Sequence, residues 1–214
     1  MVKQTQLALN DAAEWLGDWH PLAEQLGSAD GLLALASVAG ELRLPPVHDR
    51  VSLERALRRY QDRILVPLEL PAIQAAHGHA SRNELRELIA LDQKLQEQAV
   101  LNKFSSASRR VGHFQLQRLR PLRDQRIVRR YLEAVDNGLA HGWHTLVYGL
   151  TLELYSLALR QGLLGYAHQT TRGFIYAASR MLHLSERQCR DMFERLCEGL
   201  PEAVDDLLKQ KVAA

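Results

Sequence analysis

His141 and His144 stand three residues apart in NGLAHGWHTLVYGL, residues 137–150. On a helix, residues three apart share a face, so two imidazoles at that spacing can occupy two positions around a metal ion. Two ligands do not make a site, and the next carboxylate, Glu153, lies nine residues beyond His144. Neither H-E-x-x-H nor C-x-x-C occurs in the chain. Gly138, Gly142 and Gly149 thin the same surface and let a neighbouring helix approach closely. Close packing with half-exposed histidines therefore stands beside the metal reading.

A second group is basic. KFSSASRRVGHFQLQRLRPLRDQRIVRR, residues 103–130, carries Lys103, Arg109, Arg110, Arg118, Arg120, Arg123, Arg126, Arg129 and Arg130 against one acid, Asp124. Three readings are open: contacts to phosphates, a docking face for an acidic protein, or the solvated side of two helices. In the last, Val111, Phe114, Leu116, Leu119, Ile127 and Val128 turn inward. A third group is RGFIYAASRMLHLSERQ, residues 172–188, where Tyr176, Arg180 and His183 punctuate an apolar helix. Arg180 follows small residues that leave room around it, so it either extends to water from a helix end or meets a partner's carboxylate or phosphate. His77 and His79, in an HGH triplet, read as a surface loop before Ser81. No nucleophile elbow, P-loop or dinucleotide fingerprint is present, and the order of Ser and His residues selects no triad.

The elements that must position these residues read as helices throughout. Leu, Ala, Glu, Gln and Arg dominate, and no period-2 strand stands out. The periodicity predicts helices over 5–17, 28–40, 52–64, 68–79, 82–101, 104–119, 123–138, 140–161, 166–182, 186–198 and 201–210. Pro45 and Pro46 break the chain before Ser52, which reads as an N-cap. Ser81 to Glu84 and Ser185 to Gln188 both have the form of capping boxes, and Pro201 suits the first turn of a last helix. Helix 82–101 places Leu85, Leu88, Ile89, Leu91, Leu95 and Val100 on one broad face. Short connections favour antiparallel neighbours in one all-α bundle of about ten helices, a single domain over residues 1–214.

With 46% apolar and 24% charged residues, the 214-residue chain has the balance of an ordinary soluble protein. A net charge of +2 does not by itself imply nucleic-acid binding. The first residues lack the long apolar run of a secretory signal. The most apolar stretch, 145–165, is interrupted by Glu153 and Arg160 and reads as a buried helix rather than a membrane span. Cys189 and Cys197, eight residues apart, would be separated by about 12 Å on one helix, beyond disulfide reach. Two free thiols suit a cytoplasmic setting.

The order of these features resembles the UreF family of urease accessory proteins, best over residues 50–200. SLERALRRYQDRILVPLELPAI is similar to the family's early helix pair. LDQKLQEQAVLNKFSSASRRVGHFQL is similar to its long helix followed by a signature here formed by Ala107, Ser108 and Gly112. AVDNGLAHGWHTLVYGLTLELYSLAL resembles its His-containing segment, and GFIYAASRMLHLSERQCRDMFERL its Ala-Ala-x-Arg-Leu stretch, with Arg180 as the matching Arg. The resemblance implies an all-helical, non-enzymatic scaffold without a cofactor, often dimeric. Its implied partners are a UreD/UreH-type accessory protein, the GTPase UreG and apo-urease, to which the assembly delivers nickel. By the resemblance, Gly31 and Leu32 survive from the family's early motif, and His141 and His144 are packing or interface residues. For such a scaffold, Arg180 with Tyr176 is the expected anchor group, and Arg109 and Arg110 belong to a basic face that steers an acidic partner. The sequence departs from the family pattern at Leu33, Lys103, Ser105, Ser185 and Glu186, and LLKQKVAA stands where an Arg- and Phe-containing tail is usual. A family paralogue with another client, a helical nucleic-acid-associated protein using 103–130, and a helical enzyme with a small-molecule pocket are the alternatives.

Overall fold

The computed structural model describes residues 47–102, 105–119 and 126–210. The expected helices 5–17 and 28–40, the Pro45–Pro46 break, and Gly31 and Leu32 lie outside them. Among the described residues all regular structure is helical, as the composition implies. In chain order the elements are α1 (Arg50–Tyr60), a π-helical segment (Gln61–Glu69), α2 (Leu70–Ser81), α3 (Leu85–Gln96), α4 (Ala99–Asn102), α5 (Ser105–Leu119), α6 (Arg126–Asp136), α7 (His144–Leu154), α8 (Leu159–Ser179), α9 (Glu186–Cys197) and α10 (Leu200–Gln210). No described helix is long and apolar enough to cross a membrane. The described residues form two compact units, 71–165 in one and 47–70 with 166–210 in the other.

In the second unit, α1 begins one position set earlier than the sequence suggests. Asp49, not Ser52, is the N-cap: its Oδ1 accepts the Ser52 amide at 2.7 Å while Ser52 Oγ accepts the Asp49 amide at 3.0 Å. Both residue types can cap, and Ser at the third helical position completes a reciprocal box that Asp opens. The expected break between helices 52–64 and 68–79 is absent. Pro67 lacks an amide hydrogen and its ring crowds the preceding turn. The backbone widens to i→i+5 spacing over Gln61–Glu69, closing with the Leu70 amide on the Leu65 carbonyl, and so runs helical into α2. Leu53, Ala56, Leu57, Tyr60, Ile64 and Leu65 are buried along this helix. Glu69 is buried with them and accepts the hydroxyls of Tyr60 at 2.5 Å and Tyr166 at 3.1 Å. Burial beside this carboxylate holds the Tyr60 hydroxyl well above the ordinary tyrosine range. Gln61 donates to Thr171 and to the Leu196 carbonyl, so each buried polar group here has a partner.

α9 starts at the expected capping box, Ser185 with Gln188, and buries Cys189, Met192 and Leu196 at helical spacing. Arg195 on its outer side pairs with Glu54 of α1. Its two hydrogen bonds hold the Glu54 carboxyl below its usual range. Both cysteines are unpaired, and burial pushes the Cys197 thiol up to about 12, which makes it a poor nucleophile. Pro201 lies in the first turn of α10 as expected.

In the unit formed by 71–165, the Ser81–Glu84 capping box does not form. α2 continues through Ser81, whose hydroxyl donates to the Gly78 carbonyl, and Asn83 turns the chain with a φ of 55°. Glu84 becomes the N-cap position of α3, but its side chain points back to Arg82 and His79, each 2.8 Å away. The Arg82 and His79 hydrogen bonds hold the Glu84 carboxyl down at about 2. His77 and His79 are thus on a helix, not in a loop. The expected helix 82–101 is two helices, α3 and α4, separated at Glu97–Gln98. Likewise 140–161 resolves into α7, ended by a turn at Ser156 with a φ of 51°, and the first residues of α8, which begins at Leu159 rather than at 166.

α7 is buried from His144 to Leu152, and Gly149 explains how. A Cβ there would sit 2.5 Å from the Ile73 carbonyl oxygen and 2.8 Å from Ala76 Cβ, so α2 and α7 touch backbone to backbone. Gly138 and Gly142 serve another purpose: with φ of 71° and 72° they turn the chain between α6 and α7.

Candidate functional site

The turn between α6 and α7 is held by a carboxylate. Asp92 on α3 is fully buried. It accepts the Tyr131 hydroxyl at 2.5 Å, the His141 amide at 2.6 Å and the Gly142 amide at 2.9 Å. Three donors around one carboxylate satisfy most of its acceptor capacity, which is how a buried charge becomes tolerable. Burial together with this carboxylate raises the Tyr131 hydroxyl well above the ordinary tyrosine range.

α5 holds the next residues. Ser108 Oγ accepts the His144 amide at 3.3 Å and lies 2.6 Å from His144 Nδ1. One turn further, a Cβ on Gly112 would stand 2.0 Å from the Gly142 carbonyl oxygen and 2.9 Å from the His144 amide nitrogen. The segment that begins with Ala107 and Ser108 and ends at Gly112 therefore cradles the start of α7. Ser108 supplies the hydrogen bond, and Gly112 supplies the absence of a side chain.

The two histidines do not share a helix face. His141 lies in the turn, half-buried, and α7 begins at His144, which is buried against Ser108. The positive φ of Gly142 and the extended ψ of Trp143, 132°, separate them. Glu153 pairs with His77, 3.1 Å away, rather than with either. Among the described residues no group of three or more His, Cys, Asp or Glu side chains is placed to hold a metal ion.

Arg109 and Arg110 part company. Arg109 is half-buried, donates to Gln96 Oε1, and lies over the Trp143 ring at 6.0 Å. Arg110 is exposed, as are Arg118, Arg126, Arg129 and Arg130 of the basic segment. Val111, Leu116, Leu119, Ile127 and Val128 face inward as expected, but Phe114 does not. It is 54% exposed with the Arg118 guanidinium 5.8 Å from its ring. Its register explains this: the buried side of α5 runs through Ser108, Gly112, Leu116 and Leu119, and Phe114 falls opposite.

Tyr176 and Arg180 occupy one exposed surface at the end of α8. Tyr176 is 40% exposed, Arg180 stands in the turn just beyond Ser179, and Arg172 lies 5.6 Å from the tyrosine ring. Phe174, Ile175 and Ala178 face the other way and are buried.

The residue that sequence reasoning missed is Asp92. A signal exists: it falls four residues after Leu88 and three before Leu95, on the apolar face of its helix. An acid at such a position needs donors from another element, and the turn at 141–142 provides them.

Among the described residues, polar side chains divide into buried anchors such as Asp92 and Ser108 and exposed groups in which an arginine lies over an aromatic ring. The UreF family model matches residues 47–197, and the chain belongs to the UreF family, an accessory family of urease rather than a catalytic one. No curated protein matches the chain.

Proposed function

We propose that the chain is a non-enzymatic scaffold of urease maturation, joining a UreD/UreH-type accessory protein and the GTPase UreG so that nickel reaches apo-urease. The observation that carries this reading is the family match over 47–197. Nickel is cargo of the assembly here, and His141 and His144 serve the fold of the turn that Asp92 and Ser108 hold. The exposed residues supply the docking. Tyr176 offers an amphipathic ring and Arg180 a fixed fork of donors, the residue types that dominate interface energetics. Arg110 lies on the exposed side of α5, where it steers acidic partners electrostatically. Arg109 acts at one remove, by packing on Trp143 at the start of α7.

Co-purification of the tagged chain with the UreD/UreH-type protein and UreG tests this. Arg180→Ala lowers recovery of the partner about tenfold or more, as loss of a central interface arginine does, while the circular dichroism spectrum stays helical because the side chain is exposed. Unchanged recovery would remove Arg180 from the interface.

A further inference from the structure

The π-helical segment holds more residues than its length along the axis requires. Gln61–Glu69 has nine residues and closes with the Leu70 amide on the Leu65 carbonyl, an i→i+5 bond. Its burial follows the wide turn. Tyr60, then Ile64 and Leu65, then Glu69 and Leu70 are buried, while Asp62, Arg63 and Pro67 are exposed. The buried positions recur every four to five residues, whereas an α-helix repeats about every 3.6.

Tyr60 and Glu69 show what this spacing achieves. They flank the wide turns, nine positions apart, yet the Tyr60 hydroxyl donates to Glu69 Oε2 at 2.5 Å. At about 100° per residue, α-helical steps over that interval would leave Glu69 on the opposite side of the helix from Tyr60. Two i→i+5 turns take about nine residues and return Glu69 to the Tyr60 face. Other elements fix both ends of the segment. Gln61 donates to Thr171 of α8 and to the Leu196 carbonyl of α9, and Tyr166 of α8 donates to Glu69. Pro67 does not account for this length. A proline removes one amide donor and kinks an α-helix locally, while the widened backbone begins six residues before it.

We infer that Gln61–Glu69 is a phase-setting device: an α-helical segment carrying two extra residues, Asp62 and Pro67, one in each wide turn, which bring the Glu69 carboxylate back to Tyr60 and Tyr166. The faces assign the extra residues. Removing these two from nine leaves seven, about two α-helical turns. At α spacing, Ile64, Leu65 and Glu69 of the shortened segment all fall within about 60° of Tyr60, and Gln61 still follows Tyr60 directly. Arg63, Val66 and Leu68, none of them buried, fall on the far side. The shortened helix therefore keeps its buried positions inward and loses two exposed ones. The device is independent of the partners proposed above.

The test deletes Asp62 and Pro67 together from the full chain and follows urea denaturation by circular dichroism. The shortened chain keeps the wild-type helical signal, with a midpoint at or above that of the wild type, because unbroken α-helix replaces the two wide turns. Tyr60→Phe then lowers the midpoint by the same amount in both chains, since the bond to Glu69 survives. Deleting Arg190, an exposed residue of α9 with no wide turn to absorb the change, lowers the midpoint steeply. A crystal structure of Pro67→Ala at full length retains the Leu70 amide on the Leu65 carbonyl. Three results would each overturn the inference. One is a double deletion as damaging as the loss of Arg190. Another is a Tyr60→Phe change without effect in the shortened chain. The third is a Pro67→Ala structure whose Leu70 amide has moved to the Val66 carbonyl.

Discussion

Gly112→Ala destabilises the chain by about 3 kcal/mol or more, the upper range for forcing atoms into a packed contact. The sign is the informative part. Gly112 lies in the middle of α5, where helix propensity alone makes Ala the better residue by about 0.5–1 kcal/mol. Packing reverses that preference. The new methyl would stand 2.0 Å from the Gly142 carbonyl oxygen, a backbone atom that cannot swing aside as a side chain would. Either α5 withdraws from the start of α7 or the turn at Gly142 shifts, and both disturb the hydrogen bonds of Ser108 to His144 and of Asp92 to His141 and Gly142. Urea denaturation followed by circular dichroism reads the effect. A gain in midpoint would show that α5 and the turn do not meet as described.

Asp92→Ala has an effect of similar size by a different route. It leaves the Tyr131 hydroxyl and two backbone amides without an acceptor in a fully buried place. Each stranded donor costs about 1–3 kcal/mol, and because neighbouring losses do not add fully, a total of about 3–5 kcal/mol is expected. Tyr131→Phe removes one of the three bonds and costs about 1–2 kcal/mol. In the double variant the Tyr131 change costs less than it does alone, because its acceptor is already gone. Denaturation of the four proteins of this cycle decides it: fully additive losses would mean that the hydroxyl and the carboxylate do not interact.

Both variants act on the turn that carries His141 and Leu139, the latter 60% exposed, directly before α7. Asp92 and Gly112 are buried supports of that turn.

Much of the fold is legible in the sequence because it depends on local rules. Apolar spacing marks Leu88 and Leu95 on the buried face of α3, and Ser185 with Gln188 marks the start of α9. What fails locally fails where another element intervenes. Pro67 reads as a break but is absorbed by a π-helical segment, a choice made by the buried residues on both sides of it. Ser81 has the form of a cap, yet the left-handed Asn83 moves the next helix start to Leu85. His141 and His144 have helical spacing without a helix between them, because a carboxylate forty-nine positions before His141 holds the chain in a turn. Residue type alone marks Tyr176, Arg180 and Arg110 as docking candidates, and the structure adds that all three are exposed. The inward reading of Phe114 fails because type cannot supply which side of a helix its neighbours cover.

The most direct test of the central claim is the nickel content of urease made with and without this chain. Urease subunits, the UreD/UreH-type protein and UreG are produced together in nickel-supplemented cells, and the purified enzyme is assayed for nickel and for ureolysis. With the chain present, urease carries its metal and is active; without it, the subunits assemble at normal yield but hold little nickel and hydrolyse little urea. Equal nickel occupancy in the two preparations would contradict the account.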